Sequence, residues 1–194
     1  GGLVLGRRTA AEPLLHGGAQ QRARSGTQDV AGAVAFAAAL ELLVEAGGRP
    51  RPEPLARLAG LRNRLIAGVR AVDPEAVLRG ADPAIWADPA AGADPASHQP
   101  ARLPGNAHFT FPGCQGDSLV LLLDAAGVSV SVGSACRAGV AETSHVLLAM
   151  GVPEAEAAGA LRFTLGHSSR EEEVGALLAA LPGALTRARA AGLA

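Results

Sequence analysis

The 194-residue chain contains no lysine. All seventeen basic residues are arginine, nearly balanced by eighteen acids for a formal net charge of −1. Without a side-chain primary amine, the chain cannot itself tether a carbonyl cofactor as a Schiff base. Aromatic residues make up only 3% of the sequence against 48% apolar residues, so alanine, valine and leucine must fill the core. With no basic block and almost no stacking surface, direct binding of nucleic acid is not expected. No apolar run reaches the roughly 18–20 residues that span a bilayer, and no charged start leads into an apolar signal core. Membrane association is therefore not expected. The two cysteines lack C-x-x-C spacing, which fits a reducing, cytoplasmic setting better than a disulfide scaffold. Neither cysteine stands at ligand spacing with any of the five histidines, so no metal site is expected. G-x-S-x-G and P-loop patterns are also missing. The sequence starts at Gly1-Gly2-Leu3-Val4-Leu5, without methionine and in what reads as mid-strand, so a longer parent chain is expected.

What is present alternates between apolar strands and amphipathic helices. Residues 3–8 read as a strand, followed by a glycine-rich polar loop from His16 to Thr27. An alanine-rich helix follows from Asp29 to Glu45, with Val30, Val34, Ala37 and Ala38 on one face, and Gly47-Gly48-Arg49-Pro50 stops it. A second helix is predicted over Pro54–Val72, with Arg57, Arg62, Arg64 and Arg70 on a solvated side. The proline-rich stretch 73–101 reads as a surface excursion around a weak strand at 84–86, anchored by Trp86. Strands are predicted at 107–111, 128–132 and 160–165. Helices are predicted at 119–126, 145–150 and 171–181, the last opened by Ser168-Ser169-Arg170-Glu171. Strands separated by helices give an α/β domain from about residue 48 onward.

Three segments carry candidate chemistry. Cys136 lies in Gly133-Ser134-Ala135-Cys136-Arg137, directly after the strand 128–132. Small residues let a loop move and let a substrate approach closely. The neighbouring guanidinium favours the thiolate, the reactive form of a thiol whose ordinary pKa is about 8.5. The plainer alternative is a small-residue turn that happens to hold a cysteine. Cys114 has no such surroundings and reads as incidental. Arg162 interrupts the apolar strand Ala160–Leu165 and points away from Leu161 and Phe163. Its planar fork suits a substrate carboxylate, an internal salt bridge or a solvent-facing position. The hydroxyl of Thr27 and the N–H groups opening the first helix form an anion cradle of the kind that takes phosphate, unless Thr27 or Asp29 simply caps that helix. His145 could serve Cys136 as a base in a hydrolase, although no motif supplies an orienting group or oxyanion hole.

Taken in order, His16–Thr27, Leu103-Pro104-Gly105-Asn106, Gly116-Asp117-Ser118-Leu119, Gly133-Ser134-Ala135-Cys136 and Leu161-Arg162-Phe163-Thr164-Leu165-Gly166 resemble the cysteine desulfurases of the class V aminotransferase family. The resemblance covers nearly the whole chain. It implies the C-terminal small α/β domain (48–194) of a fold-type I pyridoxal-phosphate (PLP) transferase, preceded by the tail of its large domain (1–47). It also implies a homodimer acting on L-cysteine, with sulfur passing to Cys136 as a persulfide and alanine released. By position, Arg162 would hold the substrate carboxylate, and Thr27 would reach the phosphate of PLP in the partner subunit. An acceptor protein for iron–sulfur assembly or tRNA thiolation would then take the sulfur. The sequence departs from the family at Ala19, usually glycine, near Gln21, usually glutamate, and at Arg137, often a small hydroxyl residue. The roles of Gln20, Gln21 and Arg22 are therefore open. Selenocysteine lyase of the same family and a non-catalytic, sulfur-carrying or partner-binding domain are the competing expectations.

Overall fold

The computed structural model describes residues 5–6, 8–9, 12–13, 15–17, 24–83, 102–132 and 143–191. They fall into two compact units, Gly1–Arg51 and Pro52–Ala194.

The first unit is built on one helix, α1 (Val30–Glu41), whose start is capped by Asp29: its Oδ1 accepts from the Gly32 N–H at 2.9 Å. The helix is apolar on every side and none of its residues is buried, so the single apolar face expected from its spacing does not exist. The strand expected at 3–8 is not formed among its described residues, because Gly6 O instead accepts from Thr9 N in a turn.

The second unit contains the core. In order it runs α2 (Pro52–Val72), β1 (Val77–Leu78), β2 (Asn106–Thr110), α3 (Gly116–Asp124), β3 (Ser131–Val132), α4 (His145–Ala149), α5 (Glu154–Ala157), β4 (Ala160–Thr164) and α6 (Glu171–Ala191). The four strands form one sheet in the order β1-β2-β4-β3, each neighbouring pair antiparallel. Alternation sends Ala107, Phe109, Leu161 and Phe163 to one face, where α2, α3 and α6 cover them. The few aromatic rings are concentrated here: Phe109, Phe111 and Phe163 meet with centroids 6.0–6.5 Å apart, two of the three contacts edge-to-face. On the opposite face, among the described residues of this unit, a small cluster of Leu147, Val152 and Ala157 from the α4–α5 region covers the Ala160 end.

Several local expectations change. β1 lies in a stretch read as irregular, and Trp86 with the strand at 84–86 falls outside the described residues. The strand expected over 128–132 is paired only at Ser131 and Val132. Arg62 is buried rather than solvated, because it continues the stripe Leu58, Leu65, Val69 at helical spacing. Its guanidinium donates to the Leu103 carbonyl at 3.2 Å and to Asn63 Oδ1 at 3.1 and 2.9 Å, and burial lowers its pKa. Finally, α6 does not stop at Leu181 but runs through Pro182 to Ala191. A mid-helix proline costs about 3 kcal/mol, yet Ala184, Leu185 and Ala188 beyond it are buried, and each large apolar side chain buried returns about 1.5–3 kcal/mol.

Candidate functional site

The face of the sheet opposite the main core holds the candidate site. Along β4, Ala160, Arg162 and Thr164 point to this face, and Arg162 is exposed on it. The register places Arg162 opposite His108 of β2 on one side and Ser131 of β3 on the other. Among the described residues no carboxylate or carbonyl pairs with the Arg162 guanidinium, so the internal salt bridge considered from sequence is not formed there.

Its neighbouring cations are differently placed. Arg79 follows β1, donating through Nε to Thr110 Oγ1 at 2.8 Å and through its fork to Glu156 of α5 at 2.5 Å. Arg102 donates to the Ala81 carbonyl at 2.8 Å and to the Arg79 carbonyl. Arg79 and Arg102 are thus occupied, while Arg162 has no such partner among the described residues. His108 lies among the three guanidiniums. Burial first, and then Arg162, Arg102 and Arg79, lower its pKa below the ordinary 6.5, which keeps the ring neutral. Sequence reading passed over His108 because its importance depends on strand register, which no local motif encodes.

The other sequence-selected residues fall as follows. Cys136 and the rest of 133–142 lie outside the described residues, immediately after β3. Cys114 is buried in the main core and its thiol pKa is raised, chiefly by that burial, in keeping with a packing role. His145 opens α4 and is exposed, while Ser144 Oγ caps that helix by accepting from Leu147 N at 3.5 Å. Thr27, in the first unit, is exposed, and its carbonyl accepts from Arg24 at 3.2 Å. The cap at the start of α1 is Asp29. No group of three or more His, Cys, Asp or Glu suited to a metal ion occurs among the described residues. None of the described helices is long and apolar enough to cross a membrane. A groove of about 350 Å³ opens between residues 127–130, the end of β4 and the start of α6. Its floor is Leu65, Phe163 and Leu177, on the core side of the sheet, with Glu173 as its one ionisable lining residue. It offers no thiol or imidazole, and its lining residues with a hydroxyl are Ser129, Thr164 and Ser169.

No protein-family model matches the chain. Curated relatives do. The chain is 50% identical to an IscS-like cysteine desulfurase of Mycobacterium tuberculosis over all of its own length and 44% of that protein. It is 37% identical to cysteine desulfurase IscS of Clostridium botulinum, over 94% of the chain and 41% of the relative. Among solved structures, a NifS-like protein of Rickettsia africae superposes with a TM-score of 0.66 at 24% identity, covering 90% of this chain and 40% of that one. A second NifS-like protein gives 0.65 at 31% identity over 93% and 40%. The chain thus spans about two-fifths of the length of the proteins it matches. Along its own length it is a homologue of the C-terminal portion of IscS/NifS-like cysteine desulfurases.

Proposed function

We propose that this chain supplies the carboxylate grip and the sulfur-accepting thiol of a cysteine desulfurase. The observation that carries the reading is Arg162: a guanidinium in the middle of a strand, exposed and without an internal partner among the described residues, flanked by the strand that feeds the segment of Cys136. The extended chain allows at most about 14 Å between Val132 and Cys136, so the thiol is tethered within reach of β4. Arg162 binds the L-cysteine carboxylate through two parallel N–H···O bonds and so fixes the orientation of its side chain. The Cys136 thiol takes the substrate sulfur: the bond between that sulfur and the substrate β-carbon breaks, a sulfur–sulfur bond forms on Cys136, and one proton moves to the carbon, which leaves as the methyl of alanine. Thiol plus cysteine gives persulfide plus alanine, so no external oxidant or reductant is needed.

When bound, PLP supplies the electron sink for breaking the carbon–sulfur bond. The residues here do not build its site alone. There is no lysine, and Asp29, an anion, takes the start of α1 that a phosphate would use. We therefore assign Thr27 only as one contact to the phosphate of PLP in a partner subunit, and the unit containing α1 (notably 1–47) as the tail of the large domain. The same reading makes the enzyme a cytoplasmic homodimer that hands sulfur to an iron–sulfur scaffold or a tRNA-thiolating acceptor.

The test uses the holoenzyme containing this chain. Cys136→Ala should remove cyanide-labile sulfur from the protein while the cofactor spectrum survives. Arg162→Ala should raise KM for cysteine by roughly a hundredfold, two charge-assisted hydrogen bonds being lost. Sulfur transfer by Cys136→Ala, or an unaltered KM in Arg162→Ala, would remove that residue from the site.

A further inference from the structure

The main-chain bonds between β2 and β4 fix which side chains lie closest. Leu165 N donates to Gly105 O at 2.7 Å and Phe111 N to Gly159 O at 3.0 Å. In an antiparallel ladder bonded and non-bonded pairs alternate, so pairs 105–165, 107–163, 109–161 and 111–159 carry the bonds. His108 and Arg162 therefore form a non-hydrogen-bonded pair, the kind whose Cα atoms approach to about 4.5 Å and whose side chains are nearest. Two unsatisfied groups meet there. Nε2 of His108 is buried with no hydrogen-bond partner, and the Arg162 guanidinium is unpaired among the described residues. A buried, unbonded ring nitrogen costs about 1–3 kcal/mol, so a native fold keeps one where a partner arrives.

We propose that His108 is a positioning residue for Arg162: with its proton on Nδ1, the imidazole accepts an N–H from the guanidinium at Nε2 and aims the fork at the substrate carboxylate. This rests on the role proposed for Arg162. The donor count permits it, since a guanidinium has five N–H groups and bidentate binding uses two. The surroundings require a neutral ring. Arg79 and Arg102 face it from the segments flanking β1 and β2, Arg162 from β4, and among the described carboxylates around this cluster Glu156 of α5 is engaged by Arg79 while Asp82 acts on Arg102. Protonation would replace the acceptor by a donor and set a fourth cation beside Arg162.

The experiment is steady-state desulfuration by the holoenzyme. His108→Phe keeps the ring and deletes the acceptor. KM for cysteine should rise about tenfold with kcat within about twofold, and the same change in an Arg162→Ala background should have no effect. His108→Gln, which returns an acceptor near the Nε2 position, should recover most of the loss. In the unmutated protein KM should stay level near neutral pH and climb only as pH falls below the ordinary histidine pKa of about 6.5, where the lowered pKa of His108 lies, and that climb should vanish in His108→Phe. If Arg162→Ala raises KM but His108→Phe does not, the positioning role is wrong and the carboxylate grip stands. If neither changes KM, the grip itself fails and takes this inference with it. Should His108→Phe not fold, a flat KM profile across that pH range in the unmutated protein overturns the proposal.

Discussion

At the residue scale, the segments that stand out as motifs in the sequence include positions fixed by close packing. Gly105, in Leu103-Pro104-Gly105-Asn106, has no room for a side chain: a Cβ there would run into the Leu165 carbonyl. The Gly105 carbonyl also accepts the Leu165 N–H, one of the bonds that set the register of His108 against Arg162. Gly105→Ala should therefore lower unfolding stability by about 2 kcal/mol or more, read from urea denaturation, through displaced backbone instead of lost chemistry. Gly116 is constrained in the same way, with the Ala160 carbonyl 2.7 Å from where its Cβ would stand. Arg162 and Cys136 draw attention in the sequence because each contradicts its surroundings, a charge in an apolar strand and a thiol among small residues, and their proposed roles await the tests above. His108 was not legible, since an exposed-face histidine in a half-buried strand contradicts nothing until its cross-strand partner is known.

At the element scale, periodicity placed α2, β2, α3, α4 and β4 within a few residues, because each has one face buried and the burial imposes the spacing. Gly127 was rightly read as a stop: it follows α3 at φ 78°, and Val128 N closes back on Leu123 O at 2.9 Å. The errors have physical sources. β1 is two residues long, too short to show alternation. Arg62 entered the core by the length of its aliphatic stem, with a carbonyl for its charge. In α6 the stop signal at Pro182 was outweighed by long-range packing that no window of sequence contains. That conflict is measurable. Pro182→Ala restores a donor and relieves the clash with the preceding turn, so it should raise stability by about 1–3 kcal/mol, seen as a higher denaturation midpoint with an unchanged slope. A lower midpoint would mean that a bend at Pro182 is needed to seat Leu185 and Ala188.

At the scale of the whole molecule, the two units differ in what they can support alone. Every residue of the main core lies between Leu61 and Ala188, and the small second cluster lies within 147–160. Among the described residues the first unit contributes none. Its helix instead exposes Val30, Val34, Phe36 and Leu40, a surface that a polypeptide in water keeps only when something else covers it. The second unit is also closed by contacts distant in sequence. Arg189 near the end of α6 pairs with buried Asp73 after α2 at 2.7 Å and donates to the Pro112 carbonyl at 3.1 Å. Arg57 of α2 donates to the carbonyls of His167 and Ser169, each at 2.6 Å, holding the turn that follows β4. These ties lie wholly within residues 52–194 and join α2, α6 and the turn that follows β4. A polypeptide of residues 52–194 should therefore fold cooperatively, with a thermal transition within a few degrees of the whole chain's and less tendency to aggregate, since the uncovered helix is gone. Calorimetry and light scattering on the two polypeptides test this. A non-cooperative melt of 52–194 would show that the first unit contributes stability which its exposed helix gives no sign of, and the division at Arg51 would then not mark an independent folding unit.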